Sequence, residues 1–146
     1  ISINKKGVIY VSDSRAKKIY TVKNGAATLL LDSLKGPNGV LAQGKKFYIL
    51  DAGTLYNVKK DKTLTKITDG MEGGTDGVEQ INANGDFIVS TWSGVVYYVS
   101  ADGSKQILLD GRNTKMNSAD IGIDAKNKII FVPTFWRNSV AAYEVR

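Results

Sequence analysis

An apolar residue, a tyrosine, any residue and a valine recur four times in this chain, as Ile19-Tyr20-Thr21-Val22, Leu55-Tyr56-Asn57-Val58, Val96-Tyr97-Tyr98-Val99 and Ala142-Tyr143-Glu144-Val145. Four of the seven tyrosines thus hold one repeat position, and a fixed period constrains a fold more than any single element does. Ahead of each copy lies a strand-like run ending in a polar residue, at 8–13, 47–51, 87–91 and 129–134. Behind the first three lies a run ending in aspartate, at 29–32, 66–69 and 107–110. A further short segment precedes each pair: residues 1–3, Asn38-Gly39-Val40-Leu41, Asp76-Gly77-Val78 and Asp120-Ile121-Gly122-Ile123.

The unit is four short strands in about 40 residues, and antiparallel strands at that period form the blade of a β-propeller. Asn24-Gly25, Asn84-Gly85 and Asp102-Gly103 supply the positive backbone angles that tight hairpins need. A β-sandwich or barrel is the competing all-β arrangement, since evenly spaced short strands suit it too; the in-register tyrosines and aspartates favour blades. The expected architecture is about four blades, at 1–35, 36–73, 74–116 and 117–146, the first and last incomplete, from a six-bladed ring. Four blades do not close such a ring, so a fragment, or one chain of a two-part ring, is expected. The implied partners are the missing blades or a second copy of the chain.

There is no cysteine and no histidine, which removes thiolate nucleophiles, disulfides and imidazole bases or ligands. Any bound metal would meet oxygen donors, a preference of calcium, magnesium or manganese. No apolar run approaches the roughly 20 residues of a spanning helix, so no membrane segment is expected. The net charge of +6 comes largely from lysine pairs at 5–6, 17–18, 45–46 and 59–60. These fall at turns and strand edges, where lysine keeps an edge unpaired, and they form no single stripe for nucleic acid.

In a blade, the start of the innermost strand and the end of its neighbour share one rim. Register places Asn38, Asp76 and Asp120 at inner-strand starts, and Asp13, Asp51, Thr91 and Thr134 at adjoining strand ends. These oxygen-bearing side chains could converge on a hard cation or a small, sugar-like ligand; each could equally cap a local turn. Trp92, Phe135 and Trp136 follow the same strand ends. They suit stacking on a ligand, or closure of the gap between neighbouring sheets.

Pro37-Asn38-Gly39-Val40 and Thr75-Asp76-Gly77-Val78, each followed by a hairpin ending in Asp51 or Thr91, resemble paired motifs of the regucalcin/gluconolactonase group of six-bladed propellers. The segment 118–146, with Asp120-Ile121-Gly122 and Val132-Pro133-Thr134-Phe135-Trp136, is similar to a bacterial branch of that group associated with exported proteins. The resemblance implies metal-dependent lactone hydrolysis in the central channel, with Asn38 and Asp76 as ligands of a divalent cation, calcium. It also implies Asp76 as the catalytic base, and a periplasmic or secreted location. The family's glutamate ligand has no counterpart by register among Glu72, Glu79 and Glu144, so the isolated chain is expected to be inactive. The alternative is a non-catalytic propeller module binding a sugar, a small molecule or a protein.

Overall fold

The computed structural model describes residues 1–145, and within them alternation of apolar and polar residues has produced strands almost throughout. The first sheet contains β1 (Ser2–Ile3), β2 (Ile9–Asp13), β3 (Lys18–Lys23) and β4 (Ala26–Leu31) in sequential antiparallel order. The second contains β5 (Pro37–Gln43), β6 (Lys46–Asp51), β7 (Thr54–Val58) and β8 (Leu64–Thr68). The third contains β9 (Thr75–Gln80), β10 (Phe87–Thr91), β11 (Val95–Val99) and β12 (Lys105–Asp110). The fourth contains β13 (Gly122–Asp124), β14 (Ile129–Pro133) and β15 (Val140–Glu144). The first sheet therefore has all four strands, its innermost reduced to two residues. Among the described residues the only helical turns are Arg112–Thr114 and Phe135–Arg137, both 3-10, and none is long or apolar enough to cross a membrane.

The tyrosine repeat reflects a common register. Tyr20, Tyr56, Tyr97 and Tyr143 stand opposite Val11, Ile49, Val89 and Ile130 on the preceding strand. A second regularity lies on the outer strands. Between neighbouring partners on β3, β7 and β11, the strands β4, β8 and β12 each insert one extra residue, Leu30, Ile67 and Leu108. Such a bulge bends the strand and turns its side chain; Leu30 and Leu108 pack against the apolar clusters described next.

The chain forms two compact units, Ile1–Gly73 and Gly74–Arg146. In the first, Ile19 and Leu31 from one sheet meet Val40, Phe47 and Ile49 from the next, and the Tyr10 ring stacks on Phe47 at 4.1 Å. Two side chains stitch the same sheets together: Ser2 Oγ accepts from the Ala42 amide at 2.9 Å, and Ser14 Oγ donates to the Pro37 carbonyl at 2.5 Å. In the second unit, Ile81, Ile88 and Val96 meet Ile121, Ile130 and Val132. Burying side chains of this size contributes about 1.5–3 kcal/mol each, so the faces between sheets are where each unit is held together.

The connections after the outer strands are pinned. The Met71 amide donates to the Gly53 carbonyl at 3.1 Å, and Met71 is buried; the Gly111 amide donates to the Gly94 carbonyl at 2.8 Å. Gly53 and Gly94 both have positive φ, and a Cβ on either would collide with a backbone carbonyl, of Met71 and Met116 respectively. In each unit a methionine carbonyl thus lies against a left-handed glycine. The glycine-rich segment 68–75 is held down by buried Met71, whose amide bonds the Gly53 carbonyl.

Ser90, fully buried, links the two sheets of the second unit: its Oγ accepts from the Gly77 amide at 2.9 Å and donates to the Ala119 carbonyl at 2.7 Å. Ser90→Ala leaves the buried Gly77 amide and the half-buried Ala119 carbonyl unpaired, a loss of about 1–3 kcal/mol. A urea unfolding curve should show that shift. Ser104→Ala, at an exposed turn, should move the midpoint by less than about 0.5 kcal/mol.

Candidate functional site

The Asx-Gly pairs at the inner-strand starts lie in β-bulges. On β5 and β6, Pro37 faces Asp51 and Val40 faces Ile49, so Asn38 and Gly39 together oppose the single residue Leu50. On β9 and β10, Thr75 faces Thr91 and Val78 faces Val89, so Asp76 and Gly77 together oppose Ser90. Two residues against one re-aims the side chain of the bulged strand. A Cβ on Gly77 would lie 2.6 Å from the Ile121 nitrogen and 2.8 Å from Asp120 Oδ1, so only glycine lets β9 approach the next sheet this closely.

Asp120 is exposed and accepts the Ile121 amide at 3.1 Å. It stands three residues before Ile123, the partner of Ile130, whereas Asn38 and Asp76 stand two before Val40 and Val78. In the fourth sheet Asp120 is followed by Ile121 rather than glycine, and it lies just outside β13. Its neighbour is Glu79 on β9, half-buried. Burial first, and the charge of Asp120 second, push the Glu79 carboxyl up to about 7. Among the described residues no lysine or arginine forms an ion pair with Glu79 or Asp120. Register along the chain gives Glu79 no part in the rim; the signal that marks it is a carboxylate at the strand position that is Leu41 in the previous sheet.

Three aromatic rings cluster at the loops that follow β10 and β14. Trp92 follows the end of β10, its amide donating to the Gly74 carbonyl at 2.7 Å; Phe135 and Trp136 follow the end of β14. The Trp92 and Phe135 centroids are 4.7 Å apart at 69°, and those of Phe135 and Trp136 are 4.8 Å apart at 85°. The three rings are 40%, 50% and 71% exposed. Phe135 has φ of +44°, a left-handed conformation that costs a bulky residue on the order of 1–2 kcal/mol. The turn around it opposes that cost: the Thr134 amide and hydroxyl both donate to the Ser139 carbonyl at 2.9 Å, and the Asn138 amide reaches the Phe135 carbonyl at 3.1 Å. The Arg137 guanidinium donates to the Thr114 carbonyl at 2.5 Å.

The other rim residues face inward. Asp51 is buried and accepts the Lys35 and Gly36 amides, at 2.9 Å and 2.6 Å. Thr91 is buried and bonded to Val95, and Thr134 is buried and bonded to Ser139. Asp13 is half-buried and caps the Ala16 amide at 2.8 Å. These four spend their polar atoms on local backbone. Asn38 is exposed and Asp76 half-buried, in the first and second units respectively. Among the described residues no group of three acidic side chains is assembled that could hold a metal.

Four antiparallel sheets of three or four strands, each with its bulged or polar rim, define the chain as an array of β-propeller blades. No protein-family model and no curated protein sequence matches it. Among solved structures it is similar to a streptogramin B lyase, with 16% identity and a TM-score of 0.70 over 99% of this chain and 53% of that one. It is also similar to virginiamycin B lyase from Staphylococcus aureus, at 12% identity and a TM-score of 0.67 over 98% and 54%. A protein of unknown function from Bacteroides caccae follows at 9% and 0.61, over 99% and 59%. The chain spans about half the length of these structures, and identities this low establish the propeller fold alone.

The raised Glu79 carboxyl gives a signed pH dependence. Between its ordinary value of 4.5 and about 7 the folded chain holds a proton there that the unfolded chain releases. Stability contributed by the neutral carboxyl is therefore present below 4.5 and lost as pH rises through about 7. The depressed carboxyl of Asp86, hydrogen-bonded by Asn82 and Tyr98, acts in the opposite direction and below that window. Unfolding midpoints at about pH 5 and about pH 8 should show wild type losing stability relative to Glu79→Gln.

Proposed function

We propose that this chain is a ligand-binding portion of a β-propeller, taking a small molecule at the rim that carries Trp92, Phe135 and Trp136. The observation that carries this reading is the aromatic cluster. Three large rings substantially open to water, one held on a strained backbone, are expensive to keep at a surface unless they serve an interface. Aromatic rings give large contact area at little cost in side-chain freedom. A panel of monosaccharides, lactones and alkylammonium salts, followed by tryptophan emission, tests the reading. At least one should give a saturable change that Trp136→Ala weakens, and a silent panel would sink it.

A finer reading, metal-dependent lactone hydrolysis of the regucalcin/gluconolactonase kind, is favoured by one observation: Asn38 and Asp76 occupy the same two-against-one bulge in consecutive sheets. In that reading Asp76 accepts the proton of a water attacking the lactone carbonyl, the water oxygen forming the new bond to carbon as the ring ester bond breaks. Calcium takes six to eight oxygen ligands, and the acidic groups of the described residues do not complete such a site. Lyase chemistry has less support. A virginiamycin B lyase crystallised with quinupristin is a catalytically inactive histidine variant, and this chain contains no histidine. For the hydrolytic reading, Asp76→Ala should lower lactone turnover of the complete propeller by at least about 100-fold. Asn38→Ala and Asp76→Ala should each weaken calcium binding by calorimetry; unchanged turnover in Asp76→Ala removes the assignment.

A further inference from the structure

The lysines of the unit Ile1–Gly73 are gathered at one of its ends. Antiparallel order puts the β1–β2 and β3–β4 hairpins at one end of the first sheet and the β2–β3 turn at the other, and the second sheet repeats this. Contacts between the sheets fix which ends match. Ser14, just after β2, reaches the Pro37 carbonyl at the start of β5. At the opposite end Ser2 Oγ accepts the Ala42 amide, and Tyr10 stacks on Phe47. The β1–β2, β3–β4, β5–β6 and β7–β8 hairpins therefore share one end of the unit.

That end holds Lys5 and Lys6 in its first turn, Lys23 at its second, Lys45 and Lys46 at its third, and Lys59, Lys60 and Lys62 at its fourth, all of them exposed. Its one carboxylate, Asp61, accepts the Thr63 amide at 3.0 Å and the Thr63 hydroxyl at 2.7 Å. Among the described residues none of these lysines forms an ion pair. The opposite end mixes both signs: Arg15, Lys17, Lys18 and Lys35 stand among Asp13, Asp32, Asp51, Asp69 and Glu72, and Lys18 pairs with Asp32. Solubility alone is served by interspersed charge, whereas like charges crowded at one end repel each other unless a polyanion meets them.

The shape of this end narrows the polyanion. Its connections are two to five residues long, so no helix or long loop projects to enter a groove of duplex nucleic acid. No aromatic ring of this unit is exposed to stack on single-stranded bases. The cations are all lysine, compact charges without the guanidinium fork that grips one phosphate. Short hairpin tips carrying diffuse charge over a broad end match a layer of anionic headgroups. We propose that the four hairpin turns of this unit dock on an anionic phospholipid surface through their lysines. The three exposed rings belong to the other unit, so this surface is independent of the rim-binding reading.

The test sediments the full chain with vesicles of equal parts phosphatidylcholine and phosphatidylserine, beside vesicles of phosphatidylcholine alone. Only the anionic vesicles should carry the chain down, and raising the salt from about 0.05 M to about 0.5 M should release it. A lysine held near such a surface strengthens binding by roughly fivefold. Lys45→Glu with Lys46→Glu, and separately Lys5→Glu with Lys6→Glu, should therefore each weaken partitioning by at least about 10-fold. Lys17→Glu with Lys18→Glu makes the same change in net charge at the opposite end, and should weaken it by less than about threefold. Circular dichroism should confirm an unchanged fold in all three. A chain that ignores the anionic vesicles, stays bound in high salt, or is weakened equally by all three pairs overturns the proposal. So does binding to duplex DNA at concentrations where the vesicles are not bound, which would assign this end to nucleic acid.

Discussion

A four-stranded antiparallel sheet whose two faces are both apolar has no stable existence unless each face meets another sheet, and in this chain that requirement comes before everything else. Ile19, Ile49, Ile88, Val96 and Val132 are sealed completely, each within a cluster drawn from two consecutive sheets. Strand order inside a sheet needs only hairpins. Placement of sheet on sheet needs side chains that reach across, and Ser2, Ser14, Ser90 and Ser118 are among them. Where β9 must come nearest to its neighbour, the sequence has glycine at 77, and the aspartate beside it is left at the rim.

Most of this architecture is legible in the amino-acid sequence. The tyrosine period reports the register itself, because Tyr20, Tyr56, Tyr97 and Tyr143 oppose equivalent residues in all four sheets. Hairpin residues mark the strand boundaries. The bulges are not legible, because pairing two residues against one leaves no mark in composition and shows only when both strands are placed. Asp120, which counting along the chain sets level with Asn38 and Asp76, stands one residue further from the regular pairing of its sheet. The inner strand β1 is legible through the repeat alone, since two residues carry no periodicity of their own.

The candidate site divides in the same way. Exposed aromatics after strand ends are visible in the sequence, and their mutual contact follows from loops at one rim of neighbouring sheets. The fate of the polar residues is not visible there. Asp51, Thr91 and Thr134 satisfy nearby backbone groups instead of facing outward, as buried polar atoms generally must. Glu79 is marked out by its burial first and by a neighbour from the next sheet second. Oxygen-bearing residues at one rim are thus candidates for two jobs, holding loops and meeting ligands, and burial separates them.

The outer strands carry a consequence of another kind. An edge strand offers a row of unpaired amides and carbonyls to any other chain that is locally extended. Here β4, β8 and β12 are each interrupted by an extra residue, Leu30, Ile67 and Leu108, and each is closed by an aspartate: Asp32, Asp69 and Asp110. A straight strand from a second molecule could pair with only a few residues on such an edge before meeting the kink. The residues that seat an aliphatic side chain against the interior therefore also protect the molecule against runaway strand-by-strand aggregation.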